Sequence, residues 1–501
     1  MKTNGEEVKP DVTQRPPFLR IAALTFSALL IHGYHLGVED GEIYIPTAKK
    51  LLHPALYPFG TEFFLSHGHL SVFGPVVALT SFLTRLPIDW SVFAWYVITL
   101  FGMLASCWFL LKTCFTSPRA HWSGMLVVTA VLAMPATNTG LLLIDPYLTA
   151  RSFSTPLTLF ALTALLERKY ALSTALILLT ALFHPQMVIY LLFLAIVIRL
   201  ADRATARERV PAMASGAAIG VLPANFDLKP AVGAYREALY SRDYYFLQNW
   251  SWYHWLGLLA PLAIMAWFWR GNVRGARPAF SLLSFVMLPF GLLSIAVGLL
   301  FASSPAFDMF ARLQPLRTFH LITLVLVLLL GGVFGEYVAK GRAWTIPALV
   351  TPLAIGMFFV ARSTYPNSPQ VELPAQTSSN AWVNALLWIR NQTPPNAVFA
   401  VDSHYFLDPG VDVHGFRAIS ERSALADYVK DGGVVAQFPA LADEWKQMST
   451  ATTGLNHFAT ADFKRLKAEY PEVNWTVVHG DEPAGLDCPY HRQGYAVCQL
   501  P

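Results

Sequence analysis

The sequence predicts an α-helical polytopic membrane protein of about eleven transmembrane helices, followed by a small C-terminal α/β domain outside the bilayer. Three observations carry this. Of 501 residues, 54% are hydrophobic and only 14% charged, whereas soluble domains carry about 25% charged residues. Apolar runs long enough to span recur between residues 18 and 362. Beyond residue 376 the pattern turns polar, with short β-branched and aromatic runs between helical ones. About 130 such residues can bury a core of their own.

In chain order, 1–17 is polar and contains proline, and no small-x-small cleavage site follows the first apolar run. It reads as a cytoplasmic stub with a retained anchor. Spans are expected near 18–37, 91–113, 123–137, 153–167, 170–184, 186–201, 209–224, 252–270, 279–302, 317–339 and 343–362, within a membrane domain of 18–362. His184-Pro185 breaks one pair into two spans with a tight turn. The stretch 70–86 is short and holds Pro75. Basic residues at Lys112/Arg119, Arg168/Lys169, Arg199 to Arg209, Arg270 to Arg277 and Lys340/Arg342 alternate as cytoplasmic only if it does not span. It is therefore expected along the outer interface, with the N-terminus inside and the C-terminus outside.

Four segments then face outward: 38–90, 138–152, 225–251 and the tail from 363. The third carries Tyr235, Tyr240, Tyr244, Tyr245, Trp250, Trp252, Tyr253 and Trp255, expected as an interfacial belt and secondarily as a surface for sugar rings. A linker covers 363–376. In the domain 377–501, a helix is expected from Ser379 to Arg390, strands at 397–401, 475–478 and 495–498, and helices near 436–447 and 460–469.

The net charge of +4 is spread between apolar runs with no basic stripe, so nucleic acid is not an expected partner. Cys107 and Cys114 read as buried thiols in one apolar run. Cys488 and Cys498 are a disulfide candidate, worth roughly 2–3 kcal/mol if closed and implying an oxidising compartment.

The first outer loop opens with Val38-Glu39-Asp40-Gly41-Glu42-Ile43-Tyr44, three carboxylates within four positions. Each costs roughly 2.5–3.5 kcal/mol at the bilayer core, so they must face water, a cation or a polar cleft. Glu39-Asp40 after the first span, His53-Pro54-Ala55-Leu56-Tyr57-Pro58 and the helix 70–86 resemble the first loop of the GT-C superfamily of membrane glycosyltransferases. The segment Asp145 to Ser154 and His184-Pro185 is similar to outward loops of that fold. Trp388 to Phe399, Phe416-Arg417 and Glu421-Arg422-Ser423 look like the start of its extracytoplasmic domain. Coverage is broad, each motif is short, and the whole pattern is similar to a bacterial family of this architecture. The first loop has no Asp-x-Asp metal motif, and the tail has no Trp-Trp-Asp-type signature.

The resemblance implies a bacterial inner-membrane enzyme that takes a sugar from a polyprenyl-phosphate donor among membrane lipids. Asp40 is then the candidate base and Glu39 the second choice, with a pKa raised by the low-dielectric wall; alternatively both cap the interfacial helix. Arg312 and Arg317 are candidates for the donor phosphate, or else pair with Asp308 or lipid headgroups. Arg151 follows the same logic, with an internal pair to Asp145 as the alternative. His184 and His320 would hydrogen-bond a pyrophosphate or sugar, or simply sit satisfied at helix ends. Tyr44 joins the substrate-binding set. A divalent cation is left open as cofactor. The rival readings are a non-catalytic scaffold binding lipid-linked glycans, indicated if neighbouring basic residues cap Glu39 and Asp40, and a transporter, which needs charges lining a path through the bundle.

Overall fold

The computed structural model describes residues 17–203, 228–338, 344–374 and 377–500. The expected stub, apart from Pro17, the span 209–224 and the basic pair Lys340/Arg342 lie outside the described residues. The membrane part runs α1 (Phe18–His32), α2 (Gly41–Leu52), α3 (Glu62–Gly68), α4 (Phe73–Thr84), α5 (Ile88–Cys114), α6 (Pro118–Val131), α7 (Ala150–Leu166), α8 (Tyr170–Phe183), α9 (Pro185–Arg203), α10 (Gly233–Tyr240), α11 (Trp252–Arg270), α12 (Pro278–Ala302), α13 (Asp308–Ala311), α14 (Thr318–Tyr337) and α15 (Thr345–Thr364).

Among the described residues, five helical stretches are long and apolar enough to cross a membrane: α5, α9, α12, Pro305–Tyr337 and α15. A sixth is counted if α3 and α4, bent by 92°, form one broken span. The finer count of eleven is not reached by length and composition among the described residues. Several expected spans are short helices, 15 residues in α1 and 14 each in α6 and α8.

The stretch expected as one helix over 70–86 is α4, set off from α3 by the bend. Its corner is stitched to the end of α8: Val72 N–H donates to Leu182 O at 2.9 Å and Ser71 Oγ donates to Phe183 O at 2.6 Å. Elsewhere the bundle closes on small residues. On α14, a Cβ at Gly331 would meet Gly124 Cα of α6 at 2.7 Å, and one at Gly335 would meet Arg119 O at 2.7 Å.

The tail holds α16 (Ala381–Gln392), β1 (Val398–Ala400), α17 (Phe416–Ser420), β2 (Ser423–Ala424), α18 (Lys430–Gln437), α19 (Ala442–Ala451), α20 (Thr460–Glu469), β3 (Trp475–His479), β4 (Asp487–Arg492) and β5 (Tyr495–Gln499). The sheet order is β2-β1-β3-β5-β4; β1 runs parallel to β2 and β3, and β5 antiparallel to β3 and β4. Asn380, rather than Ser379, caps α16 by accepting from Val383 N–H at 3.2 Å. The Cys488–Cys498 disulfide joins β4 to β5, while Cys107 and Cys114 are free and buried.

The tail does not hang on a free linker. Tyr34 N–H donates to Gln370 O at 3.0 Å, and Glu372 N–H donates to Tyr34 O at 2.8 Å. The aromatic third loop also differs from a uniform belt. Tyr235 and Tyr245 are buried in an apolar cluster shared with Val435, Trp445 and Phe463 of the tail, whereas Trp252 (74% exposed) and Tyr253 (55%) stay exposed.

Candidate functional site

Glu39 takes a left-handed conformation (φ +52°), and its N–H donates to Val413 O of the tail at 2.9 Å. That turn, closed by Gly41 N–H to Val38 O at 2.8 Å, starts α2 with Asp40 at its N-cap position. Asp40 makes no side-chain capping bond, so the helix-cap alternative is not realised. Both carboxylates instead meet Lys430, the first residue of α18: Nζ pairs with Glu39 Oε2 and lies 3.3 Å from Asp40 Oδ1.

Asp40 also interacts with Arg151 and Arg317. Burial alone would raise its carboxyl, but Lys430 and the two guanidinium groups outweigh it and hold Asp40 well below the usual carboxylate range. The raised pKa expected from the low-dielectric wall is therefore overturned by charge. Burial pulls the Lys430 ammonium down, but Glu39 and Asp40 hold it above its ordinary value.

Around this turn the fold collects residues far apart in sequence. Arg151 sits in the first turn of α7, which opens with Thr149 N–H donating to Ser152 Oγ at 3.1 Å, and it pairs with Asp145. Burial raises the Asp145 carboxyl despite Arg151, and Asp40 and Glu39 add to the rise. Arg317, at the mouth of α14, donates to Gln186 Oε1 at 3.5 Å, lies 5.8 Å from the Tyr244 ring centroid, and keeps a buried Nε without a partner among the described residues. Tyr44 feels Asp40, Arg151, Arg317 and Asp145. His184, which ends α8, feels Arg151, His67, Arg317 and Asp40. His320 binds Leu143 O through Nε2 at 3.0 Å, leaves Nδ1 without a partner, and lies in the field of Arg151 and Arg317.

Arg312 is turned to the tail, where Nη1 donates to Gln437 O at 3.3 Å. Asp308, the alternative partner for Arg312 and Arg317, accepts from Ala231 N–H and Tyr240 Oη, each at 3.0 Å.

Three residues here escape the sequence reading. His67 on α3 interacts with Asp40 and Arg317, and its Nδ1 is buried without a partner. Tyr147 feels Asp145, Asp40 and Glu39. Lys430 lies some 390 positions from the acids it meets. For His67 the acidic first loop was a usable signal; for Lys430 no local spacing carries one.

Buried ionic groups fix this geometry. Glu42 accepts the N–H groups of Arg417 and Ala418, each at 2.9 Å, and Arg417 forms a fork with Asp431 at 3.0 and 2.6 Å. Burial pushes the Glu42 carboxyl up to about 7, against the pull of Arg417. Lys49 pairs with Asp89 and Glu421, each at 2.9 Å, and Arg390 pairs with the same two, each at 2.7 Å. Glu372 accepts from Leu36 N–H at 3.0 Å and contacts His414 Nε2 at 2.9 Å. Breaking one partner of such a buried pair costs about 3–5 kcal/mol, so these links hold the tail in register over α2.

Among the described residues, no group of three or more His, Cys, Asp or Glu is arranged to hold a metal ion. No family model matches the chain, and no curated protein matches it.

Proposed function

We propose that the chain is a GT-C-type glycosyltransferase, moving a sugar from a polyprenyl-phosphate donor to a cell-envelope acceptor at the membrane face covered by the tail. One observation supports this above the rest. Asp40 lies in the field of both Arg151 and Arg317, the three contributed by separate elements beside the mouth of an apolar bundle. Two guanidinium groups suit a phosphate, and a carboxylate beside them suits the proton of an attacking hydroxyl. The tail disulfide suits an oxidising, extracytoplasmic side. In a bacterium this is the outer face of the inner membrane, with the N-terminus cytoplasmic.

In this reading Arg151 and Arg317 hold the donor phosphate and stabilise its charge as it leaves. The acceptor oxygen bonds to the anomeric carbon, the bond from that carbon to the phosphate oxygen breaks, and the electron pair departs on the polyprenyl phosphate. The acceptor proton passes to Asp40. A carboxylate held as low as the resting Asp40 is a weak proton acceptor. Donor phosphate on the two arginines offsets part of their charge and restores basicity to Asp40, and displacement of Lys430 completes the change.

The Lys430 contact also favours the second reading, a scaffold that binds lipid-linked glycans without turnover. Release of polyprenyl phosphate from synthetic polyprenyl-phosphate mannose and glucose, followed by mass spectrometry in membranes holding the chain, separates the two. The transferase releases lipid phosphate and Asp40→Asn slows release by about 100-fold or more. Equal release from wild type and Asp40→Asn rejects the transferase.

A further inference from the structure

A cavity of about 640 Å³ opens where the start of α5 meets α16 of the tail, lined by Trp90, Trp388, Asn384, Asn391, Asp89 and Arg390 among others. It belongs to the far end of α2 from Asp40: Lys49, near the C-terminus of that helix, binds Asp89 on the cavity wall. At 1.5 Å rise per residue, Asp40 and Lys49 stand about 14 Å apart along the axis. The volume falls within the 300–1,000 Å³ typical of small-molecule sites.

The lining selects a class of ligand. The charges on its lining are already matched: Asp89 and Arg390 pair with each other and, behind the wall, with Lys49 and Glu421 in a closed ring of two cations and two anions, and Glu372 pairs with His414. A charged ligand gains little from a balanced ring. A purely apolar ligand would have to cover that ring and the polar amides around it. Trp90 and Trp388 are half-buried and offer apolar faces with room beside them. Asn391 is exposed and its side chain makes no hydrogen bond among the described residues, while the Asn384 amide nitrogen donates to Ser378 O at 2.9 Å and leaves its carbonyl oxygen available. A neutral molecule with one apolar face and a rim of hydroxyl groups satisfies all of these features. We infer that this cavity is a saccharide-binding site, separate from the Asp40 cluster. The inference rests on the cavity alone and does not require the transfer reaction.

Saturation-transfer NMR on the full chain in nanodiscs tests it, with glucose, mannose, galactose, N-acetylglucosamine and their disaccharides as probes and glycerophosphoethanolamine as the lipid-headgroup control. A saturable signal from at least one saccharide is expected, weakened tenfold or more by Trp388→Ala and threefold or more by Asn391→Ala, and unchanged in Asp40→Asn. Trp388 also packs on Tyr490, with centroids 5.2 Å apart, so if Trp388→Ala melts early the exposed Asn391→Ala decides. The inference is overturned if no saccharide binds, if only the headgroup binds, if Asn391→Ala binds as wild type does, or if Asp40→Asn loses the signal too. Absence of transfer by the wild-type chain together with saturable saccharide binding would reject the transferase reading and leave this site standing.

Discussion

Asp40 is governed by the cations around it more than by the wall beside it. Removing the nearest one tests that directly. Lys430→Ala is expected to let the Asp40 carboxyl rise toward its ordinary value and to destabilise the fold by about 1–2 kcal/mol at pH 7, because Asp40 is partly open to water. The Asp40 contribution is present above the ordinary carboxylate pKa and lost as pH falls below it. Thermal melts of Lys430→Ala and wild type should therefore converge on acidification. Glu42 has the opposite sign. Its folded carboxyl titrates at about 7, above its unfolded value, so the stability it contributes is full at low pH and fades as pH rises through 7. The shift corresponds to something on the order of 3 kcal/mol. Glu42→Gln, which keeps an acceptor oxygen for one of the two N–H donors, should flatten the fall in melting temperature between pH 5 and pH 8. An unchanged pH profile would show that Glu42 does not titrate in that window.

At the scale of elements, close approaches decide what tolerates change. A Cβ at Gly415 would lie 2.2 Å from Glu42 Oε2, so Gly415→Ala should loosen the tail from α2 and speed proteolysis between the two. The Cys488–Cys498 bridge closes a short loop between β4 and β5, and replacing both with serine should cost about 3 kcal/mol of tail stability in denaturant titrations. The same scale explains what was legible beforehand. The apolar runs of the bundle, β1, β3, β5 and the disulfide announce themselves by local pattern, whereas the number of spans does not. β2, only two residues long, and β4, which carries Asp487, Pro489, His491 and Arg492, do not. The bend between α3 and α4 is held by bonds to the end of α8, which no window around residue 70 contains. Tyr235 and Tyr245 look like membrane anchors until a tail domain is laid over them.

Across the whole molecule, a sheet domain is pinned to the segment that follows α1 by buried ionic links, and one of its lysines enters the acidic turn. Much of the candidate site was readable residue by residue: Asp40, Arg151, Asp145, Arg317, His184, His320 and Tyr44 do converge. Their state was not readable, because Lys430 reaches them only through tertiary structure and, with Arg151 and Arg317, reverses the expected shift of Asp40. The central claim, that the arginines beside Asp40 hold a lipid phosphate, is tested most directly by native mass spectrometry of the protein extracted in mild detergent. The account predicts polyprenyl phosphate retained by wild type and by Asp40→Asn, and reduced at least tenfold by Arg317→Ala. Wild-type protein free of such lipid, or equal retention in Arg317→Ala, would contradict it.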